Sequence, residues 1–391
     1  MDRILFPFKQ SKLLNTLFLS NVFISFHYAL VIYINSSFLN GFFTETQVSA
    51  LYIIGSIIDT VLLLNASKIL EKIGSFNFAL SVILLEFVST VGMALAYSSF
   101  LAGLYFLIHL ISISLVLFNM DVFIENVSAD TSTTGSVRAT YLTITNMTIV
   151  LAPVLLSFIL TDSHYYYIYI ASALFMLPLW NLVKKFRFIE TAKIHHIKVK
   201  ETLSEYVRNK DLYNIFVSQF LLQLFYAYMV IYTPIYLEKY IGFSWHEIGL
   251  IFTIMLLPFV FFEVPVGELA DMKYGEKEFL TIGFIIMGIS TLIISFITTK
   301  DFWLWAVILF VTRIGASVVE VSNESYFFKQ VNKEKTDVIS FFRVSRPVSF
   351  IVAPLLATLT FQFIPFQYIF IIIGSIMILG THFSLALKDT K

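Results

Sequence analysis

The feature that most constrains this chain is a succession of long apolar runs separated by short polar segments. A helix of about 20 apolar residues is long enough to cross the hydrocarbon core of a bilayer. Twelve such runs predict an all-α membrane protein with twelve transmembrane helices. The predicted spans are 13–35, 46–66, 76–97, 101–123, 138–160, 165–183, 213–237, 245–266, 279–298, 302–323, 338–361 and 366–387.

The composition excludes a water-soluble fold. Hydrophobic residues make up 58% of the chain and charged residues 13%, whereas about a quarter of the residues of a soluble domain are charged. Because the chain has no cysteine, disulfides and thiolate-bound metals are excluded. No cluster of basic and aromatic residues suggests a nucleic acid partner, and neither a cofactor nor a metal is predicted.

Lysine and arginine are distributed unevenly among the loops. Of the 26 basic residues, 21 lie in the N-terminus, the even-numbered connections and the C-terminus, whereas the odd-numbered connections hold only Lys239 and Lys300. Loops on the cytoplasmic side collect lysine and arginine. We therefore expect a multi-pass protein of the cytoplasmic membrane with both termini in the cytoplasm.

A long polar connector divides the spans six and six, and internal repetition supports this division. Gly74 and Gly275 are 201 residues apart, and so are the Ala-Pro pairs that end at Pro153 and Pro354. The predicted organisation is an N-terminal six-helix bundle (1–183), a cytoplasmic linker (184–212) and a C-terminal six-helix bundle (213–391).

The loop after the eighth span carries a known motif. It reads GELADMKYGEK from Gly267 to Lys277 and resembles the G-x-L-a-D-r-x-G-r-r loop of the major facilitator superfamily, although the trailing arginines are missing. The counterpart in the first half is a degraded copy, in which Ser67 replaces the first glycine and Glu71 replaces the aspartate. Together with twelve spans in two halves, the motif makes the whole chain similar to that superfamily.

This resemblance implies an architecture and a mechanism. Two pseudo-symmetric bundles would move a small molecule by alternating access, coupled to protons or another ion, in a protein that works as a monomer within the lipid bilayer. Spans 1, 2, 4, 5, 7, 8, 10 and 11 would line the central cavity, and spans 3, 6, 9 and 12 would lie outside it.

The motif also implies a gate. Glycines allow a tight turn, and an acid beside it can face the positive N-terminus of a helix in the other half. Asp271 would then face the start of span 5 near Arg138, and Glu71 the start of span 11 near Arg343. A hydrated turn whose charges only fix the topology is the alternative. The residues of this predicted gate are Gly267, Asp271, Gly275, Glu71, Gly74, Arg138 and Arg343.

Charged residues inside spans are candidate functional groups because each costs about 2.5–3.5 kcal/mol to insert. Asp59 lies about 20 Å along the second span and shares a helix face with Tyr52, which suits a proton carrier; a hydrogen bond to a neighbouring helix is the alternative. Arg313 and Glu320 share a face of span 10. With Asp121 of span 4 and Arg346 of span 11, they could bind an anion, switch ion pairs between conformations or lock helices together.

Uncharged polar side chains lie on spans that would face each other across the cavity. Asn21 lies on span 1, and Gln223 and Tyr226 lie on span 7. Amides among aromatic rings can hold sugars, peptides or flat drug-like molecules, and ordinary interhelical hydrogen bonds explain them nearly as well. Glu86 ranks low as a functional residue, despite its depth in the membrane, because span 3 would be peripheral. His27 and His109 could shuttle protons, although a lone histidine in a helix is more often a packed side chain that forms hydrogen bonds.

A secondary transporter is the leading interpretation, with a slight preference for efflux of drug-like or hydrophobic compounds. Uptake of a nutrient or metabolite by proton symport is the alternative, because span 5 lacks the glycines of the antiporter segment G-P-x-x-G-G. A polytopic membrane enzyme or a lipid scramblase is the alternative interpretation from a different functional class. No catalytic residue is predicted.

Overall fold

The computed structural model describes residues 12–128, 134–160, 164–187, 199–270, 275–331 and 336–389. These residues form helices and turns, without a strand among them. Twelve helical segments are long and apolar enough to cross a membrane, which confirms the predicted fold class and a multi-pass membrane protein.

The first six spans are interrupted once, in span 1, where Ile32, Tyr33 and Ile34 leave the helix. The helices of these spans are Lys12–Val31 and Asn35–Asn40 (span 1), Glu45–Leu64 (span 2), Ala66–Ala94 (span 3), Ser99–Ser128 (span 4), Thr134–Ile159 (span 5) and Tyr165–Val183 (span 6).

A short helix, Val199–Arg208, precedes the second six spans and buries Tyr206 against span 11. The helices that follow are Lys210–Ile235 (span 7, continued by a π-turn at Tyr236–Ile241), Trp245–Phe261 and Glu263–Leu269 (span 8), Glu276–Ile294 (span 9), Phe302–Gln330 (span 10), Thr336–Phe361 (span 11) and Ile369–Leu385 (span 12).

Equivalent helices of the two halves begin with the same local chemistry. Thr44 and Gln47 form a capping box at the start of span 2, and Ser244 and Glu247 form one at the start of span 8. Each box satisfies two backbone N–H groups that a helix start would otherwise leave unpaired.

A glycine with a positive φ lies near the start of span 3, where Gly74 kinks the helix Ala66–Ala94, and another, Gly275, lies directly before span 9. Gly74 has φ 76° and ψ 151°, and Gly275 has φ 82° and ψ 163°. This region of backbone conformation is essentially restricted to glycine. The two glycines 201 residues apart therefore form matching turns, which agrees with the repetition read from the sequence.

Glycines allow spans 9, 10 and 12 to pack closely in the C-terminal half. A Cβ atom at Gly315 would lie 2.5 Å from the backbone nitrogen of Met287, and one at Gly374 would lie 2.8 Å from the carbonyl oxygen of Gly288. Close helix approach through small residues is a common way of packing helices in membranes.

Candidate functional site

The two halves meet tightly on the side of the odd-numbered connections, here called the far side. Lys239 at the end of span 7 donates to Glu45 at the start of span 2 over 2.5 Å. Glu238 accepts hydrogen bonds of 2.7 Å from both Tyr165 of span 6 and Trp245 of span 8. These contacts, the far-side gate, hold the halves closed on this side.

The gate continues towards the centre of the bundle. The hydroxyls of Ser49 on span 2 and Tyr232 on span 7 are 2.7 Å apart and buried. Tyr33, in the interruption of span 1, packs against Phe252 of span 8 with 4.9 Å between ring centroids. The interruption therefore places an aromatic side chain of the first half against the second half.

The opposite side, here called the terminal side because the first and last described residues lie there, carries exposed charges between the halves. Arg346 of span 11 donates a 2.6 Å hydrogen bond to the Tyr28 hydroxyl of span 1, although its side chain is largely exposed. Asp121 of span 4 is also exposed. Exposed charged side chains between the halves indicate an opening on the terminal side, which single contacts such as that of Arg346 with Tyr28 still bridge, whereas the far side is closed.

A charged cluster follows the opening inward. Arg343 binds Glu324 through both guanidinium nitrogens, at 2.5 and 2.9 Å, and Asp121 and Glu320 are near enough to act on Arg343 electrostatically. Three of these residues were predicted as cavity or gate residues, and the structure brings them together. Asp121 belongs to the first half and the others to the second, so the cluster links the halves.

Arg313 lies deeper, between the halves. Its guanidinium stands over the rings of Phe225 and Tyr226, 5.0 and 5.8 Å from the centroids, and interacts with Tyr33 of the first half. Arg313 is 2% exposed, and its Nη1 atom has no hydrogen-bond partner in the protein. An unsatisfied buried guanidinium is costly, so an acceptor supplied by a ligand would stabilise this arrangement.

Tyr226 connects Arg313 to Glu320. Its hydroxyl donates a 2.6 Å hydrogen bond to the Glu320 carboxylate, so the two predicted residues are direct partners. Gln223, one turn earlier on span 7, is half-buried. Glu263, near the terminal end of span 8, accepts a 3.2 Å hydrogen bond from Asn146 of span 5 and so joins the two halves.

Asp59 is the buried acid of span 2. It is 6% exposed and interacts with Ser114 of span 4 and, electrostatically, with Arg346 of span 11. Its Oδ1 atom has no hydrogen-bond partner in the protein. Tyr52, on the same helix face, packs against Phe106 and faces Phe350 of the second half. The acid thus lies beside the opening, and one of its carboxylate oxygens is unsatisfied.

Two predictions have other outcomes. Asn21 is turned into its own half: its side-chain amide donates to the Tyr141 carbonyl and to Thr145, both on span 5, so a hydrogen bond between helices explains it. Asp271 and the side chain of Arg138 lie outside the described residues, and the contact of Glu71 with the start of span 11 stays a prediction.

A buried polar cluster inside the first half was not predicted. His27, Glu86 and His109 lie on spans 1, 3 and 4 and are 0–2% exposed. Both imidazoles contact one Glu86 oxygen, at 2.5 and 2.6 Å, and Ser112 donates to the other oxygen over 2.6 Å. The residues are far apart in sequence, and the only signal was that all three lie at mid-membrane depth.

These three side chains also suggest a metal site, because their donor atoms lie within 4.8 Å of one another. Ligands about 2.0–2.2 Å from a tetrahedral zinc ion are roughly 3.3 Å apart, whereas each imidazole here lies only 2.5 or 2.6 Å from the Glu86 oxygen. The residues as arranged therefore fit a hydrogen-bonded cluster and do not fit a metal centre.

Comparison with known proteins agrees with this architecture. Residues 215–390 match the profile of the Major Facilitator Superfamily, and no curated protein sequence matches the chain. The crystal structure of the nucleoside transporter NupG is similar with a TM-score of 0.75 and 12% identity, covering 96% of this chain and 99% of that one.

Two peptide transporter structures are also similar. The POT family transporter PepTSo has a TM-score of 0.74 and 12% identity, covering 97% of this chain and 98% of its own. An auto-inhibited POT family peptide transporter has a TM-score of 0.75 and 10% identity over the same shares. The predicted resemblance and fold are confirmed.

Proposed function

We propose that this chain, a transporter with the major facilitator fold whose residues 215–390 match that superfamily, exports small amphiphilic organic anions in exchange for protons. The superfamily profile matched by residues 215–390 and the transporters of similar fold support secondary transport and favour a transporter over an enzyme. The substrate class, the coupling to protons and the direction are the parts that we propose.

The orientation follows from the basic loops. If the terminal side is cytoplasmic, as the lysine and arginine distribution indicates, the structure is an inward-open state in which a solute enters from the cytoplasm between spans 4 and 11. We propose that the protein lies in the cytoplasmic membrane as a monomer.

Arg313 is the observation that carries the substrate class. An anion at this site would satisfy the free Nη1 atom with a charge-assisted hydrogen bond. The neighbouring rings of Phe225, Tyr226 and Tyr33 would pack against an apolar or aromatic body. A carboxylate or phosphate attached to such a body fits both parts of the site, and this combination supports efflux of drug-like anions.

Asp59 supports coupling to protons. An ionised carboxylate in a dry interior is strongly disfavoured unless it is paired, and Asp59 has an oxygen without a protein partner. Arg346 is its cationic neighbour, and it is exposed to the opening. Binding a proton at Asp59 would remove the charge before the cavity closes, and losing it on the cytoplasmic side would restore the attraction to Arg346.

Uptake by proton symport is the second candidate. It is favoured by span 5, which reads Leu151-Ala152-Pro153-Val154-Leu155-Leu156 and lacks the glycines that antiporters of the superfamily often carry there. Symport and antiport use the same two residues and differ in whether the solute and the proton move in the same direction.

The test uses purified protein in liposomes that contain a pH-sensitive dye, with a panel of aromatic carboxylates, organic phosphates, neutral sugars and cationic drugs. We expect the anions to drive proton movement in the wild type, and Asp59→Asn to abolish it. Asp211→Asn is the matched control, because Asp211 is buried at the start of span 7, away from the cavity, and accepts from the backbone of Lys388.

The outcomes separate the elements of the proposal. If protons and solute cross the liposome membrane in opposite directions, the protein is an antiporter. If they cross in the same direction, it is a symporter. If only neutral or cationic compounds move protons, the assignment of Arg313 is wrong. If Asp59→Asn behaves like Asp211→Asn, Asp59 is not the carrier.

A further inference from the structure

The buried cluster of His27, Glu86 and His109 has a definite arrangement of donors and acceptors. His109 lies 2.6 Å from Glu86 through Nδ1 and 3.1 Å from the Asn35 amide nitrogen through Nε2. The other end of that amide, its oxygen, accepts a 2.9 Å hydrogen bond from Tyr169. Because the Asn35 nitrogen can only donate, His109 Nε2 is an acceptor, and His109 is neutral.

His27 has donors at both ring nitrogens. Its Nε2 atom lies 2.5 Å from the Glu86 carboxylate. Its Nδ1 atom faces the carbonyl oxygen of Ser172 at 3.1 Å and its hydroxyl at 2.8 Å, while that hydroxyl donates to the His27 carbonyl over 2.9 Å. A carbonyl cannot donate, so the contacts are all satisfied when His27 carries two protons, as an imidazolium paired with the Glu86 carboxylate.

The groups around this pair are all accounted for. Span 3 contributes Thr90, whose hydroxyl lies 3.2 Å from Glu86; span 4 contributes His109 and Ser112; span 6 contributes Ser172; and span 1 contributes Asn35. Among the described residues, His109 is the other titratable group that bonds to Glu86, and no further acid or base bonds to the pair. The cluster is therefore neutral overall only while His27 keeps its second proton.

The cluster holds both pieces of the interrupted span 1. His27 lies on Lys12–Val31 and Asn35 begins Asn35–Asn40, so each piece is tied to the first-half bundle through the network of Glu86 and His109. Between them lies Tyr33, which contacts Phe252 and Arg313 of the other half. A change in the cluster would thus move a residue that closes the far side.

A polar path leads from the cluster towards the far-side gate. His109 contacts Asn35, and Asn35 contacts Tyr169. Tyr165 lies one turn before Tyr169 on the same face of span 6 and donates to Glu238 in the gate. Since Tyr165 bonds to the gate, opening of the gate would bring water to the far-side end of this path.

We propose that His27 and Glu86 form a second proton-binding site, separate from Asp59, whose bound proton stabilises the far-side-closed conformation. When the gate opens and water reaches the cluster, that water takes the second proton of His27. The Glu86 charge then remains without its cation, and the interior tolerates it only if span 1 moves or water enters. Because the closed state binds one more proton than the open state, raising the pH favours the open state, by at most about tenfold per pH unit.

The test measures the gate without any substrate. Phe100 and Phe363 lie in far-side turns of opposite halves and are 76% and 82% exposed. Since the chain has no native cysteine, spin labels at Phe100→Cys and Phe363→Cys report the far-side distance in lipid nanodiscs by pulsed electron resonance. We expect the population with the short distance to fall as the pH is raised, because the closed state binds the additional proton.

Variants identify the group that responds. His27→Gln should remove the pH dependence. His109→Gln should keep the pH dependence, because a neutral amide can still donate to Glu86. Asp59→Asn should also keep the pH dependence of the gate, although this variant should lose proton-coupled transport. If His27→Gln does not elute as a folded monodisperse protein, the double variant His27→Gln and Glu86→Gln takes its place. It replaces the ion pair by two neutral amides, and its gate should also be insensitive to pH.

Other results overturn the proposal. If the distance between the far-side spin labels in the wild type does not change with pH, the gate is not linked to protons. A response that survives in His27→Gln and in the double variant shows that another group binds the proton. If the pH response disappears only in Asp59→Asn, the proton that controls the gate binds at Asp59, which is the site of the proposed function, and not at His27.

Discussion

The interiors of the two six-helix halves are held together by different chemistry. In the first half, spans 1, 3, 4 and 6 meet at the charged pair of His27 and Glu86. In the second half, the 201-residue repeat that relates Gly74 to Gly275 places Met287 at the position of Glu86. At that position spans 9, 10 and 12 are joined through apolar surface and glycines, with Gly315 packed against Met287, whereas a buried hydrogen bond of 2.7 Å joins Ser218 of span 7 to Asn323 of span 10.

This difference suggests a division of labour. A glycine-packed interface has no room to rearrange, because backbone meets backbone, whereas a hydrogen-bonded ion pair can change its proton content and its geometry. The groups that suit proton binding, Asp59 and His27, lie in the first half. The buried arginine that suits an anionic solute, Arg313, lies in the second half together with Glu320.

The largest expected effect tests the second half. Arg313→Gln should weaken binding of an anionic solute by roughly a hundredfold, since truncating a buried charged partner costs about 2–5 kcal/mol. It should leave the pH response of the far-side gate in place. Binding is measured by scintillation proximity with a radiolabelled anion chosen from the panel.

Arg208→Gln is the control, because Arg208 is exposed on the short helix before span 7. An unchanged dissociation constant in Arg313→Gln would remove Arg313 from the site. A comparable loss in Arg208→Gln would show that the assay responds to overall charge.

The next effect tests the rigidity of the second half. Gly315→Val should destabilise the protein by about 3 kcal/mol, because the new side chain meets the backbone of Met287, which cannot move aside. Gly55→Val in the first half meets only the ends of Leu110 and Leu107 and should cost less than about 1.5 kcal/mol. Thermal unfolding in detergent, followed by tryptophan fluorescence, compares the stability of the two variants. Equal losses of stability would contradict the difference in packing between the halves.

The smallest effect tests the contact between the halves. The Lys239 side chain is 51% exposed and that of Glu45 22%, and exposed ion pairs contribute about 0.2–1 kcal/mol. Lys239→Glu should therefore shift the far-side distance distribution two- to fivefold towards open, and Lys239→Glu with Glu45→Lys should restore it. A double variant that stays open would mean that the pair does not help to close the gate.

Much of the fold could be predicted from the sequence, because each span is a local pattern. Length and apolarity defined the twelve helices, and the repeated glycines Gly74 and Gly275 pointed to the two halves. The interruption of span 1 was missed, since Ile32, Tyr33 and Ile34 are apolar and continue the hydrophobic run without a glycine or proline.

The site was predicted in part. Charges inside apolar runs stand out, so Asp59, Arg313 and Glu320 could be named before their surroundings were known. The cluster around Glu86 was not predicted, because its low rank rested on the expected peripheral position of span 3. Partners from three different spans have no common spacing in the sequence, so only the packing of the helices reveals that His27 and His109 share one carboxylate.

The most direct test of the central claim compares exchange with proton-driven transport in Asp59→Asn, using a radiolabelled anion that the wild type carries. The account predicts that Asp59→Asn keeps solute exchange across the liposome membrane at near the wild-type rate but no longer responds to an imposed proton gradient, whereas Arg313→Gln loses both. If Asp59→Asn still concentrates the solute when a proton gradient is imposed, protons are not coupled through Asp59, and the proposed division between the halves is wrong.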